Sequence, residues 1–188
     1  PVRRQLQDAS GWKTVSAAKI HPTARTATFR IDPWDDTRDV AYRLVYALGD
    51  RAGGATDHYW TGTVRRDPVD QETLTVADVS CNIHTIFPNV PLVQSMAKLR
   101  PDILAFVGDQ FYESTGGYGV QRAPLEKAIV DYLRKWYFHG WTWRELMRDR
   151  PSISLPDDHD VYQGNLWGEG GEGRKTTQEA GGYDLPAE

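Results

Sequence analysis

Apolar and polar residues alternate in two early stretches of the chain. From Thr26 to Ile31 the apolar positions are Ala27, Phe29 and Ile31, and from Val40 to Leu48 they are Val40, Tyr42, Leu44, Tyr46 and Leu48. A period of two marks half-buried strands, so both stretches are predicted strands. Asp32-Pro33-Trp34-Asp35-Asp36 lies between them as a turn, and the Gly-rich run Gly49 to Gly54 leads to a third strand at Tyr59 to Arg65. At least three antiparallel strands follow, closed by Asp67-Pro68-Val69-Asp70, and residues 1–68 are expected to form a β-sandwich-like domain.

Beyond residue 68 the period changes. Short continuous apolar runs, Leu74 to Val79, Ile103 to Val107 and Ser152 to Leu155, alternate with helical stretches, which predicts strands covered on both faces. Asn89 offers an N-cap and Pro91 an early helical proline for a helix with Leu92, Met96 and Leu99 on one stripe. A longer helix is predicted from Pro124, with Leu125, Ile129, Tyr132 and Trp136 on its apolar stripe and a bend at Gly140 before Trp143, Leu146 and Met147. The predicted order for residues 69–188 is β-α-β-αα-β, which implies a parallel sheet.

In such sheets ligands bind beyond the carboxyl ends of the strands. The first predicted strand ends in Ser80-Cys81-Asn82-Ile83-His84, the second in Gly108-Asp109-Gln110-Phe111-Tyr112-Glu113, and the third in Asp157-Asp158-His159-Asp160. Carboxylates, imidazoles, a thiol and a phenol brought together would repel and desolvate one another unless a cation held them, so a metal site of more than one ion is expected. Each segment also has an ordinary reading: Cys81 as a small buried hydrophobe, Gly108-Asp109 as a turn, and the acidic run as a solvated loop.

Gly168, Gly170 and Gly173 match a G-x-G-x-x-G pattern, but no apolar strand leads into it, which speaks against a dinucleotide fingerprint. The aromatic run Trp136 to Trp143 has helical spacing and reads as core, with His139, His21 and His58 taken as structural. Composition narrows the field further. The 188 residues carry a formal net charge of -4 with scattered Lys and Arg, which excludes a clustered nucleic-acid footprint, and no apolar run approaches the roughly 18 residues of a membrane helix. Cys81 is the single cysteine, so no disulfide forms within the chain. The start at Pro1 and the polar, Gly-rich end around Gly181-Gly182-Tyr183-Asp184 read as an excerpt of a longer protein.

The ordered set Ser80-Cys81, Gly108-Asp109-Gln110-Phe111-Tyr112 and Asp157-Asp158-His159-Asp160-Val161 resembles alkaline phosphatase D-like (PhoD-like) enzymes, a branch of the calcineurin-like metallophosphoesterases, over about residues 70–165. The resemblance implies an accessory β-sandwich-like domain followed by the first half of an α/β metallophosphoesterase sandwich. It implies hydrolysis of a phosphomonoester or phosphodiester in a secreted or periplasmic setting. It also implies that Cys81, Asp109 and Tyr112 bind a ferric ion (Fe3+). Asp109 would bridge to Ca2+ or another divalent metal that Asp158 also binds, and His159 would stand beside the phosphoryl group as the catalytic side chain. The chain departs from the family pattern at Ser114 and Gln163, and metal ligands of the second half of the sheet lie beyond it, so this stretch alone is expected to be a poor enzyme. Two other readings remain open. One is a carbohydrate-binding β-module using Trp34 and Trp60, and the other is a metal-independent glycosidase using Asp109 and Asp158.

Overall fold

A computed structural model describes residues 1–49, 51, 53–112, 121 and 123–161, which form a four-stranded antiparallel sheet, a three-stranded parallel sheet and two helices. Residues 113–120 and 162–188, which include Glu113, Ser114, Gln163 and the glycine pattern at 168–173, lie outside the described residues. The chain divides into two compact units: Pro1–Glu72 with Arg148–Arg150, and Thr73–Met147 with the chain from Pro151 onward. The sequence boundary at residue 68 falls just before the observed one, and the return of Arg148–Arg150 to the first unit is new.

The first unit is built on strands β1 (Val2–Asp8), β2 (Gly11–Ala18), β3 (Val40–Gly49) and β4 (Ala55–Val64), in the order β2-β1-β3-β4. Strand β3 lies where alternation predicts it, and β4 starts earlier than predicted. The predicted strand at Thr26–Ile31 is absent: Ala27, Phe29 and Ile31 are half-buried between exposed neighbours, but no strand pairs with them. The alternation there records which side chains turn inward, not a ladder. Strands β1 and β2 went unpredicted because they are mostly polar. They are held by seven residue pairs between β1 and β2, by five between β1 and β3, and by Arg43, whose guanidinium carbon lies 4.6 Å from the Trp12 ring and 4.7 Å from the Tyr59 ring. Among the described residues this unit contains one sheet, so the second layer that a sandwich requires is not found.

The second unit runs β5 (Val76–Val79), α1 (Val90–Leu99), β6 (Ile103–Val107), α2 (Leu125–Met147) and β7 (Ser152–Leu155), with sheet order β5-β6-β7 and both pairings parallel. Asn89 caps α1 by accepting from the Leu92 amide at 3.4 Å, as its position in sequence predicts. The buried face of α1 is carried by Met96 and Val93, however, while Leu92 and Leu99 are exposed. Helix α2 is one continuous helix through Gly140 and not two, so the order is β-α-β-α-β.

Successive strand residues face opposite sides of a sheet. Val79, Leu104 and Phe106 point to one face and form the core with Met96, Trp143 and Leu146. On the other face Val76, Val107, Ile153 and Leu155 are exposed among the described residues. The aromatic run divides likewise. Trp143 and His139 are buried, whereas Tyr137 and Trp141 face solvent and stack on each other.

Candidate metal centre

The β5–β6 ladder continues past the strands as hydrogen-bonded loops. Beyond β5, the Cys81 amide donates to the Gly108 carbonyl at 3.2 Å and the Asn82 amide to the Asp109 carbonyl at 2.8 Å. Cys81 and Asp109 both adopt left-handed backbone, with φ of 55° and 52°. Such a conformation in a residue other than glycine costs about 1–3 kcal/mol and persists where surrounding structure imposes it, often at functional sites. Gly108 also has positive φ, 104°, and a Cβ there would lie 2.5 Å from the Cβ of Asp157, so only glycine lets the β6 and β7 ends approach this closely.

This backbone brings side chains from the three strand ends together. The Cys81 thiol donates to Asp109 Oδ2 at 3.7 Å, and the Ser80 hydroxyl donates to Cys81 Sγ at 3.2 Å. Two ligands of one ion lie no farther apart than about twice a bond of roughly 2.0–2.5 Å, so the Cys81–Asp109 spacing is compatible with a shared cation. Asp109, Asp158 and His159 offer ligand atoms that all lie within 4.8 Å of one another. The Tyr112 ring packs against His159 at a tilt of 48°, with ring centroids 4.3 Å apart. Its phenol is held in the neutral form by burial first, and then by hydrogen bonds with Cys81 and Asp109 and by the negative charge of Asp109.

The electrostatics are those of a crowded acidic site. Burial is the first cause that raises the Asp158 pKa, and the charges of Asp109 and Asp157 add to it against the opposing pull of His159. Asp109 is 7% exposed, and its Oδ1 has no hydrogen-bond partner. A buried carboxylate oxygen left unpaired costs about 1–3 kcal/mol or more. A cation is the group that would satisfy it. The donor set of carboxylates, an imidazole, a phenol and a thiol is suited to a hard or borderline ion once phenol and thiol give up their protons.

The five residues singled out in sequence, Cys81, Asp109, Tyr112, Asp158 and His159, are therefore neighbours. His159, read in sequence as a group beside the substrate, also stands among the ligand-competent ones. Three further residues organise the site. His84 is buried, and its Nδ1 accepts from the Tyr112 amide at 3.1 Å, which uses this imidazole as an acceptor for the loop. Gln110 is fully buried and donates through Nε2 to the Leu155 carbonyl at 2.9 Å, and Asp160 is 1% exposed. His84 and Gln110 stand in strand-end segments that the sequence singles out, but their roles as backbone partners are not legible there, because those partners lie in distant segments. No family model, curated protein or solved structure matches the chain.

Proposed function

We propose that this chain carries metal-binding and catalytic residues of a phosphoester hydrolase, acting on a phosphomonoester or phosphodiester in the manner of the alkaline phosphatase D-like enzymes its motifs resemble. The observation that carries this reading is the buried Asp109 carboxylate, with one oxygen unpaired and the other in contact with the Cys81 thiol, beside Tyr112, Asp158 and His159. In this reading Cys81, Asp109 and Tyr112 hold a ferric ion, and Asp109 and Asp158 hold calcium or another divalent ion. When bound, such ions polarise the phosphoryl oxygens and acidify water for in-line attack.

The chain's own contributions are positional. Asp109 presents its carboxylate from a left-handed backbone position whose carbonyl accepts from the Asn82 amide, so its placement is set before any ion binds. His159, packed against the Tyr112 ring, would in this reading donate to a phosphoryl oxygen or protonate the leaving oxygen. Contact of a thiol and a phenol with Asp109 favours this reading over a glycosidase, whose two carboxylates work without a cation.

Asp109→Asn in the full-length polypeptide is expected to lower turnover of p-nitrophenyl phosphate and bis-p-nitrophenyl phosphate by at least about a hundredfold, since a neutral amide holds two cations poorly. Circular dichroism should be little changed. Full turnover by the variant at full metal content would overturn the proposal.

A further inference from the structure

Asp160 is the last acid of the run Asp157-Asp158-His159-Asp160, and it differs from its neighbours in both burial and use. It is 1% exposed, and its two carboxylate oxygens are spent on two different loops. Oδ1 accepts from the Gln110 amide at 2.7 Å, and Oδ2 accepts from the Asp157 amide at 3.0 Å. The Asp160 amide closes the turn by donating to the Asp157 carbonyl at 3.1 Å. Gln110 follows Asp109 directly, and Asp157 precedes Asp158 directly. A second strut runs parallel to this one, from Gln110 Nε2 to the Leu155 carbonyl at the end of β7. The contact of Gly108 with Asp157 removes the remaining space between the loops.

We infer that Asp160 is a positioning residue, whose carboxylate clasps the loop after β6 to the loop after β7 and so fixes the separation of Asp109 from Asp158 and His159. This inference rests on the metal-site reading above and adds to it the device that sets its geometry. A carboxylate suits the task because it accepts at both oxygens, and hydrogen bonds to a charged acceptor are roughly twice as strong as neutral ones. An amide of the same shape cannot replace it, since its NH2 group would face a backbone N–H, donor against donor. Residues that orient metal ligands without touching the metal typically contribute 10- to 100-fold to metal affinity.

The test uses Asp160→Asn in the full-length polypeptide with two readouts, amide hydrogen exchange at Gln110 and Asp157, and titration with Co2+ followed by its visible absorption. Exchange is expected to accelerate at both amides together, and Co2+ affinity to fall roughly 10- to 100-fold, with the intensity pattern of the bands altered. Should this variant not fold, Asp160→Glu, which keeps the charge but displaces both oxygens, is expected to weaken Co2+ binding in the same titration. Unchanged exchange at the two amides in Asp160→Asn would overturn the clasp. Accelerated exchange with Co2+ affinity unchanged within twofold would leave Asp160 a fold-stabilising residue and overturn its positioning role, as would unchanged affinity in Asp160→Glu. A wild-type protein that exchanges slowly at both amides yet binds no Co2+ would overturn the metal reading and the positioning role with it.

Discussion

His139 shows how one buried imidazole makes stability depend on pH. It is 3% exposed, lies edge-on to Phe106 at 4.8 Å and Trp136 at 5.6 Å between ring centroids, and its Nε2 has no hydrogen-bond partner. Burial lowers its pKa from 6.5 to about 4, because the charged form would lose its hydration among aromatic rings. The unfolded chain then takes up a proton near pH 6.5 that the folded chain refuses until about pH 4. The stabilisation is therefore fully present above pH 6.5, falls as the pH drops from 6.5 toward 4, and changes no further below that. A difference of that size corresponds to about 3 kcal/mol. In urea unfolding at pH 7.5 and pH 4.5, the wild type is expected to lose about 2–3 kcal/mol more than His139→Phe. Equal losses would show that this ring is not the group responsible. The substitution also cancels background titration of the carboxylates, which both proteins share.

At the scale of elements, legibility in sequence followed the apolar pattern and failed where polar residues do the work. Strands β3, β6 and β7 and the cap of α1 were readable because burial and capping select residue types locally. Strands β1 and β2 were not, since their partners are other strands and the Trp12–Arg43–Tyr59 stack, contacts that sequence spacing does not encode. Helix α2 was readable as a helix and largely in its facing, since Tyr132, Trp136, Trp143 and Leu146 of the predicted stripe pack inward while Leu125 does not, but its buried charged residues were not. Its inner side includes Asp131, Lys135 and His139, spaced by four, while Leu125 and Val130 are exposed. The site followed the same division. Its ligand-competent residues could be named because they sit at predicted strand ends, whereas the bonds from Asp160 and His84 to backbone amides depend on loops brought together only by folding.

The charged face of α2 supports a prediction about the element itself. Lys135 Nζ lies 2.8 Å from Asp131 Oδ2 with both side chains buried, and Arg134 lies 3.0 Å from Asp131 Oδ1. Breaking a buried pair by removing one partner typically costs 3–5 kcal/mol, because the other charge is stranded, whereas replacing both by apolar residues costs far less. Asp131→Leu is thus expected to destabilise the protein by about 3 kcal/mol or more, and Asp131→Leu with Lys135→Met to recover a large part of that loss. Chemical denaturation of the three proteins measures it. A double variant no more stable than Asp131→Leu would mean that the pair is not the source of the cost.

On the scale of the whole molecule, the chain leaves the second unit after α2, contributes Arg148–Arg150 to the first, and returns to form β7. The contribution is specific. Strand β4 is an edge of its sheet, and edge strands carry outward backbone groups without a strand partner. Asp149 Oδ1 takes one of them, accepting from the Thr63 amide at 2.9 Å, and the Tyr42 hydroxyl donates to the Arg148 carbonyl at 2.8 Å. Gly62 permits this approach, since a Cβ there would lie 2.6 Å from the Arg148 carbonyl oxygen. A partly buried hydrogen bond to a charged acceptor contributes about 1.5–3 kcal/mol. Asp149→Ala in the full chain is therefore expected to destabilise the first unit by roughly that amount. The Thr63 amide should exchange with solvent at least about tenfold faster, because 1.4 kcal/mol corresponds to a factor of ten in the opening equilibrium. Amides of β3 that bond within the sheet should slow or hasten only with the stability of the unit as a whole. Thr63 exchange that is unaltered in Asp149→Ala would mean that this segment lies beside the first unit without holding its edge.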